Sequence, residues 1–124
     1  MLEKKHYKVD FSEVKSFYDI HSVLNDSLEF FEYYGDLDSL YDSLTNMLCD
    51  ISIIEIYGLE ELGKYDGYDK KILEVFSETK HAYDDEFSDR FFVTIVHEDG
   101  TREEITERAI NYALFLAYKQ LKTM

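Results

Sequence analysis

The chain has no proline, no low-complexity run and no internal repeat, so composition marks no linker along it. It has a single cysteine, Cys49, which excludes an intrachain disulfide. That fits a reducing compartment, and a cytoplasmic protein is expected. No apolar run approaches the roughly 20 residues of a membrane span. The opening segment, MLEKKHYKVDF, carries lysines but no apolar h-region, so no signal peptide is expected. The most informative gap is in charge of one sign. Between Lys15 and Lys64 there is no lysine or arginine at all.

What is present is a chain of 124 residues, a length that fits one domain over residues 1–124. A domain of this size hides roughly two-thirds of the surface that its unfolded chain exposes. At 45% hydrophobic and 16% aromatic residues it is too apolar for a disordered tail. Thirteen basic residues face 27 acidic ones, for a formal net charge of -14. Such a surface makes a poor partner for nucleic acid or an anionic membrane, and a better one for basic proteins or cations. The stretch without basic residues carries Asp19, Asp26, Glu29, Glu32, Asp36, Asp38, Asp42, Asp50, Glu55, Glu60 and Glu61. A merely solvated surface mixes both signs, whereas a field of one sign steers a positive partner.

Hydrophobic periodicity orders the chain as strand, helix, helix, strand, helix, strand. Tyr7, Val9 and Phe11 alternate as on a half-buried strand. Ser16 with Asp19 three residues later has the form of a capping box. Ile20, Val23, Leu24, Leu28 and Phe31 then recur at helical spacing, which predicts a first helix over about Phe17–Phe30, closed by Tyr34-Gly35 with Gly35 in a left-handed or turn position. A second helix is predicted from about Asp36 to Leu48, its stripe made by Leu37, Leu40, Tyr41, Leu44, Met47 and Leu48. The run Ile51–Tyr57 is β-branched and nearly continuous, the pattern of a strand buried on both faces of a parallel sheet. A short helical piece within Leu59–Tyr68, a third helix over about Lys70–Tyr83 and a strand Phe91–Val96 follow. Helical crossovers make these strands parallel, joined right-handedly. After them, Asp99-Gly100 signals a hairpin, with an antiparallel strand over Thr101–Ile105. Thr101 with Glu104 is the competing sign, a capping box that starts a helix there. In either case Ala109, Ile110, Tyr112, Ala113, Phe115, Leu116 and Leu121 predict a terminal helix to about Lys122, packed on the domain or, alternatively, on a second copy.

The segment Glu32-Tyr-Tyr-Gly-Asp-Leu-Asp-Ser-Leu-Tyr-Asp42 concentrates the candidate functional groups. With Leu37, Leu40 and Leu44 inward, Asp38 and Asp42 share the outward face. Like charges four apart cost an isolated helix about 0.2–0.5 kcal/mol. Asp36 and Asp38 are favoured near the helix N-terminus by its dipole; Asp42 gains less. Tyr33, Tyr34 and Tyr41 flank these carboxylates, and tyrosine is enriched among interface hot spots. The bland alternative is a solvated helix face with tyrosines at the edge of the core.

Here the chain resembles a known family. Asp19-Ile-His-Ser-Val-Leu, then Glu32-Tyr-Tyr-Gly, then Leu37-Asp-Ser-Leu-Tyr-Asp-Ser-Leu-Thr45 look like the barstar pattern Asp-Leu-His, Glu-Tyr-Tyr-Gly-x-Asn-Leu-Asp-Ala-Leu-Trp-Asp-x-Leu-Thr. Val75-Phe-Ser-Glu78 and Phe91–Val96 resemble that family's last helix and last strand. The resemblance covers about residues 7–96, leaving a C-terminal extension over about 98–124. It implies an α/β fold, a three-stranded parallel sheet packed with helices, here followed by a hairpin or helix. It also implies an intracellular inhibitor of a basic ribonuclease or nuclease toxin, monomeric when free, rather than an enzyme. In that family the second helix and the loop before it plug the nuclease active site. The aspartate matched by Asp42 enters the phosphate pocket and meets arginines and the catalytic histidine. Asp38 supports the same face, and Tyr33, Tyr34 and Glu78 match further contacts. The implied partner-binding set is Tyr33, Tyr34, Gly35, Asp36, Asp38, Ser39, Tyr41, Asp42, Asn46 and Glu78. The family's own barnase–barstar pair is a known case of hot spots and electrostatic steering.

The chain departs from the pattern in places. The loop after Gly35 is one residue short and lacks the asparagine. Tyr41 replaces tryptophan, Ser39 replaces alanine, and Ala82 replaces a further acidic contact. These changes bear on which enzyme is bound, and a DNase toxin or another basic target is the alternative. Outside this region, His6, His21, His81 and His97 lack zinc spacing, and His21 is expected to make a structural hydrogen bond. Cys49 reads as an inert thiol. Asp36, Asp38 and Asp42 do not form an EF-hand loop, and Asp84, Asp85, Glu86 and Asp89 read as a solvated acidic loop. No cofactor and no metal are expected, and no nucleophile–base pair or phosphate loop supports an enzyme.

Overall fold

The computed structural model describes residues 3–30, 33–46, 51–86 and 90–105, with backbone only for 82–86. Strand β1 (Lys4–Asp10) forms where Tyr7 and Val9 alternate with polar residues, and Phe11 prolongs the ladder through an N–H donated to the Tyr57 carbonyl at 2.9 Å. Strands β2 (Ile51–Tyr57) and β3 (Phe91–Val96) follow, and the sheet order is β1-β2-β3-β4, with β4 at Arg102–Glu104. β1, β2 and β3 run parallel; Tyr7 pairs with Ile54, and Ile54 with Val93. β4 returns antiparallel to β3, with Ile95 opposite Glu103.

The hairpin reading of Asp99-Gly100 therefore holds over the helix start at Thr101. Gly100 takes φ 86° and donates to the His97 carbonyl, and the Asp99 carboxylate accepts from both the Thr101 N–H and its hydroxyl. The expected terminal helix lies outside the described residues.

β2 corrects one expectation. Ser52, Ile54 and Ile56 are buried, but Ile51, Ile53, Glu55 and Tyr57 are only half-buried. Its apolar run hides an ordinary alternation. The register carries the same alternation into β1 and β3, so one face of the sheet is covered by the core. The other face carries Glu55, which pairs with Arg102 at 2.6 Å, and Tyr57 beneath the Lys8 ammonium.

Helix α1 (Phe17–Leu28) starts as expected, its N-cap Ser16 hydroxyl accepting from the Asp19 N–H at 3.1 Å. The Asp19 carboxylate reaches one residue beyond a standard capping box, to the Lys15 N–H at 2.9 Å. The helix ends at Leu28, earlier than Phe30, because Glu29 turns left-handed with φ 56°. Gly35 has φ 77° but belongs to the approach to α2 (Leu37–Thr45), not to the end of α1. Met47, Leu48, Cys49 and Phe31 fall outside the described residues. A 3-10 helix, Leu59–Lys64, precedes α3 (Tyr68–Glu86), which is longer than predicted and takes in Asp84, Asp85 and Glu86 as helix rather than loop. Asp89 and the side chains of Ala82 and Tyr83 are outside the described set.

The core is one cluster. Phe11, Ile20, Leu24, Leu40, Leu44, Ile54, Ile56, Ile72, Phe76 and Phe91 are completely buried. Burying each such side chain is worth about 1.5–3 kcal/mol. Lys80 is almost buried, yet its ammonium is satisfied, donating to the Phe91 carbonyl at 2.6 Å and lying over the Phe92 ring. It ties α3 to the start of β3.

Candidate site on the acidic helix and its approach loop

α2 is short, nine residues, and needs help at its N-terminus. Asp36 supplies it. Its carboxylate accepts from the Ser39 N–H at 2.7 Å, and its carbonyl accepts from the Leu40 N–H at 3.0 Å. The Ser39 hydroxyl in turn accepts from the Tyr34 N–H at 2.9 Å, so cap and approach loop close on each other. Ser39 is buried, and Leu40 and Leu44 fix the inner face of the helix. At the far end the Asn46 amide donates to the Asp42 carbonyl at 2.7 Å, and the Thr45 hydroxyl donates to the Tyr41 and Asp42 carbonyls. Both ends of this short helix are thus tied.

The outward face is left to Asp38 and Asp42, both exposed. Among the described residues neither carboxylate has an ion-pair partner. Tyr34 is 79% exposed, Tyr41 is half-buried against the core, and Asn46 and Gly35 are exposed. Glu78 stands exposed on α3, the helix against which α2 packs. The structure thus brings Tyr34, Gly35, Asp36, Asp38, Ser39, Tyr41, Asp42 and Asn46 together on one loop and helix. It gives two of them internal duties: Asp36 is a cap and Ser39 a buried brace.

Tyr33 is half-buried, and its hydroxyl meets Nδ1 of His21 on α1. Nε2 of the same ring meets the Tyr68 hydroxyl at 2.7 Å. His21 therefore makes the structural hydrogen bond expected of it, twice over. Burial lowers its pKa below the ordinary histidine value, opposed by the charge of Asp36. Burial likewise pushes the Tyr33 and Tyr68 hydroxyls up, so both stay protonated. Tyr68 is absent from the sequence-based set: it lies 47 residues from His21, and no spacing rule joins them.

Elsewhere, a cleft is lined by Leu59, Leu73 and Ile95 together with polar residues that include His97 and Glu103. His97 bridges Glu60 at 2.8 Å and Glu103 at 3.2 Å, joining the 3-10 helix to β4. Among the described residues no group of three or more His, Cys, Asp and Glu side chains could hold a metal ion, and no helix is long and apolar enough to cross a membrane.

Chemically, an exposed carboxylate pair on a capped helix can accept charge-assisted hydrogen bonds from arginine, often two at once. The flanking tyrosines offer rigid amphipathic area around it. A search of curated proteins found no match. The family described as Barstar (barnase inhibitor) matches residues 5–95, the stretch from β1 through the acidic helix into β3. Its members are inhibitors rather than enzymes, and this chain belongs to the barstar family.

Proposed function

We propose that this protein inhibits a basic ribonuclease by seating the loop 33–36 and α2 over the enzyme's phosphate-binding site. The observation that carries this reading is the pair Asp38 and Asp42. Both are exposed, neither has an ion-pair partner among the described residues, and both stand on a helix capped at each end. An RNA-cleaving site is basic because it must hold phosphate, and a fixed carboxylate can take the phosphate's place on its arginines. Asp42 is the group that enters the pocket, Asp38 supports it, and Tyr33, Tyr34, Tyr41, Asn46 and Glu78 border the contact. The net charge of -14 then accelerates encounter with a positive enzyme, an effect that salt reduces.

The protein acts in this reading as a cytoplasmic monomer with no catalysis of its own and no cofactor. The shortened loop at Asp36 and tyrosine at position 41 point to an enzyme other than barnase as its target. The test is to purify the nuclease or toxin encoded beside this chain and to measure its cleavage of RNA and of DNA with and without equimolar inhibitor. Loss of RNA cleavage supports the reading. Loss of DNA cleavage alone transfers it to a DNase toxin. Unchanged cleavage of both substrates overturns it for that pair.

A further inference from the structure

His21 joins three separate elements. It sits on α1, its Nδ1 meets Tyr33 in the loop before α2, and its Nε2 meets Tyr68, the first residue of α3. A neutral imidazole has one N–H and one lone pair. One tyrosine must therefore donate to the ring and the other must accept from it, which gives the chain of three groups a direction. Both tyrosines are braced from outside the chain of hydrogen bonds. Tyr68, 9% exposed, meets the edge of Phe17 at 5.2 Å and 83°, and Tyr33 packs on Phe30 at 5.2 Å. The loop lies close on α1 at this point: a Cβ added at Gly35 would stand 3.9 Å from the His21 Cβ.

Tyr33 adjoins the exposed Tyr34, whose N–H is held by Ser39. The Ser39–Asp36 cap fixes the loop to α2, and among the described residues the Tyr33 hydroxyl adds a hydrogen-bonded tie to the body of the domain through His21 of α1 and Tyr68 of α3. We propose that His21 and Tyr68 are positioning residues for the partner-binding loop. They hold Tyr33, and through it Tyr34 and the start of α2, in the docking geometry before a partner arrives. A loop ordered in advance loses less conformational freedom on binding, so the gain appears as affinity. The affinity half of this inference rests on the inhibitor reading; the ordering half does not.

The experiment uses the full chain with Tyr68→Phe, Tyr33→Phe and both together, since phenylalanine keeps the rings and their packing. In the free protein, NMR of the His21 ring nitrogens and of amide exchange at residues 33–36 reads the hydrogen-bond chain directly. Tyr68→Phe should shift the His21 ring signals and speed exchange at residues 33–36, leaving the β2 amides unchanged. With the adjacent-gene nuclease as probe, Tyr68→Phe should weaken binding about tenfold, the size of one net hydrogen bond. In the Tyr33→Phe background the same change should do little. Unchanged ring signals and exchange overturn the ordering half. Additive losses of affinity overturn the affinity half, because Tyr68 then acts by another route. If the nuclease binds neither parent nor variants, the inhibitor reading fails and the affinity half with it, while the free-protein signals still decide the ordering half.

Discussion

Asp36 and Ser39 hold each other across the first turn of α2: the Ser39 N–H reaches the Asp36 carboxylate at 2.7 Å while the Ser39 hydroxyl takes the N–H of Tyr34. The aspartate therefore has two separable properties, a cap and a charge. Asparagine and aspartate cap about equally well, and loss of a cap to alanine costs about 1 kcal/mol. Asp36→Asn should leave urea stability nearly unchanged, and Asp36→Ala should lower it by about 1 kcal/mol. If the carboxylate also faces the partner, both variants should bind the nuclease more weakly. Equal stability of the two variants would show that the cap does not matter.

Asp42 should show opposite effects on stability and on binding. It stands one turn after Asp38 with no ion-pair partner among the described residues, so Asp42→Ala relieves like-charge repulsion worth about 0.2–0.5 kcal/mol and introduces a better helix former. The free protein should unfold at equal or slightly higher urea concentration. Binding of the nuclease, measured by titration calorimetry, should weaken far more than for Glu98→Ala, which removes an exposed carboxylate from the β3–β4 turn. The association rate of the parent chain should also fall as salt rises. Equal affinities for the two alanine variants would place the interface elsewhere.

These residues show where the sequence was readable and where it was not. Leu37, Leu40 and Leu44 set the facing of α2, so the outward placement of Asp38 and Asp42 followed from period alone. The Ser16 cap followed from local chemistry. The end of α1 did not, because Glu29 adopts a left-handed conformation that nothing in its side chain favours. Around Thr101 two local signals competed, and the hydrogen bonds of β4 to β3, a tertiary effect, decided between them. β2 read as buried on both faces because Ile51 and Ile53 are apolar whichever way they point. His21 and Tyr68 meet across 47 residues, a contact that depends on how α1 and α3 pack.

Two histidines should shape the pH dependence of stability in opposite directions. The hydrogen bond that the His97 ring donates to the Glu60 carboxylate, reinforced by Glu103, raises the pKa of His97. Its contribution is fully present below about pH 6.5, the unfolded value, and is lost as pH rises through the higher folded value. Burial lowers the pKa of His21. Below about pH 6.5 the unfolded chain takes up a proton that the folded chain resists, so this group weakens the fold as pH falls. Urea unfolding at several values between pH 5.5 and 8.5 should show His97→Gln losing more stability, relative to the parent, at the acid end. His21→Gln should close its gap to the parent there. The same slope in both variants would mean that neither ring titrates as its surroundings require.

Two glycines separate backbone strain from steric exclusion. Gly58 follows β2 with φ 69°, and a Cβ there would stand 2.6 Å from the Ser12 nitrogen, a backbone atom that cannot swing aside. Gly100 has φ 86°, and a Cβ there would meet nothing within 4 Å. Alanine at Gly100 should therefore cost only the left-handed backbone term, about 1–2 kcal/mol. Alanine at Gly58 adds a displacement of the chain at Phe11 and Ser12, where the buried Phe11 ring and the extended β1–β2 ladder are anchored. Its loss in urea stability should exceed that of Gly100→Ala by at least as much again. If the two substitutions cost the same, the close approach of Gly58 to Ser12 is relieved by movement of the chain after β1.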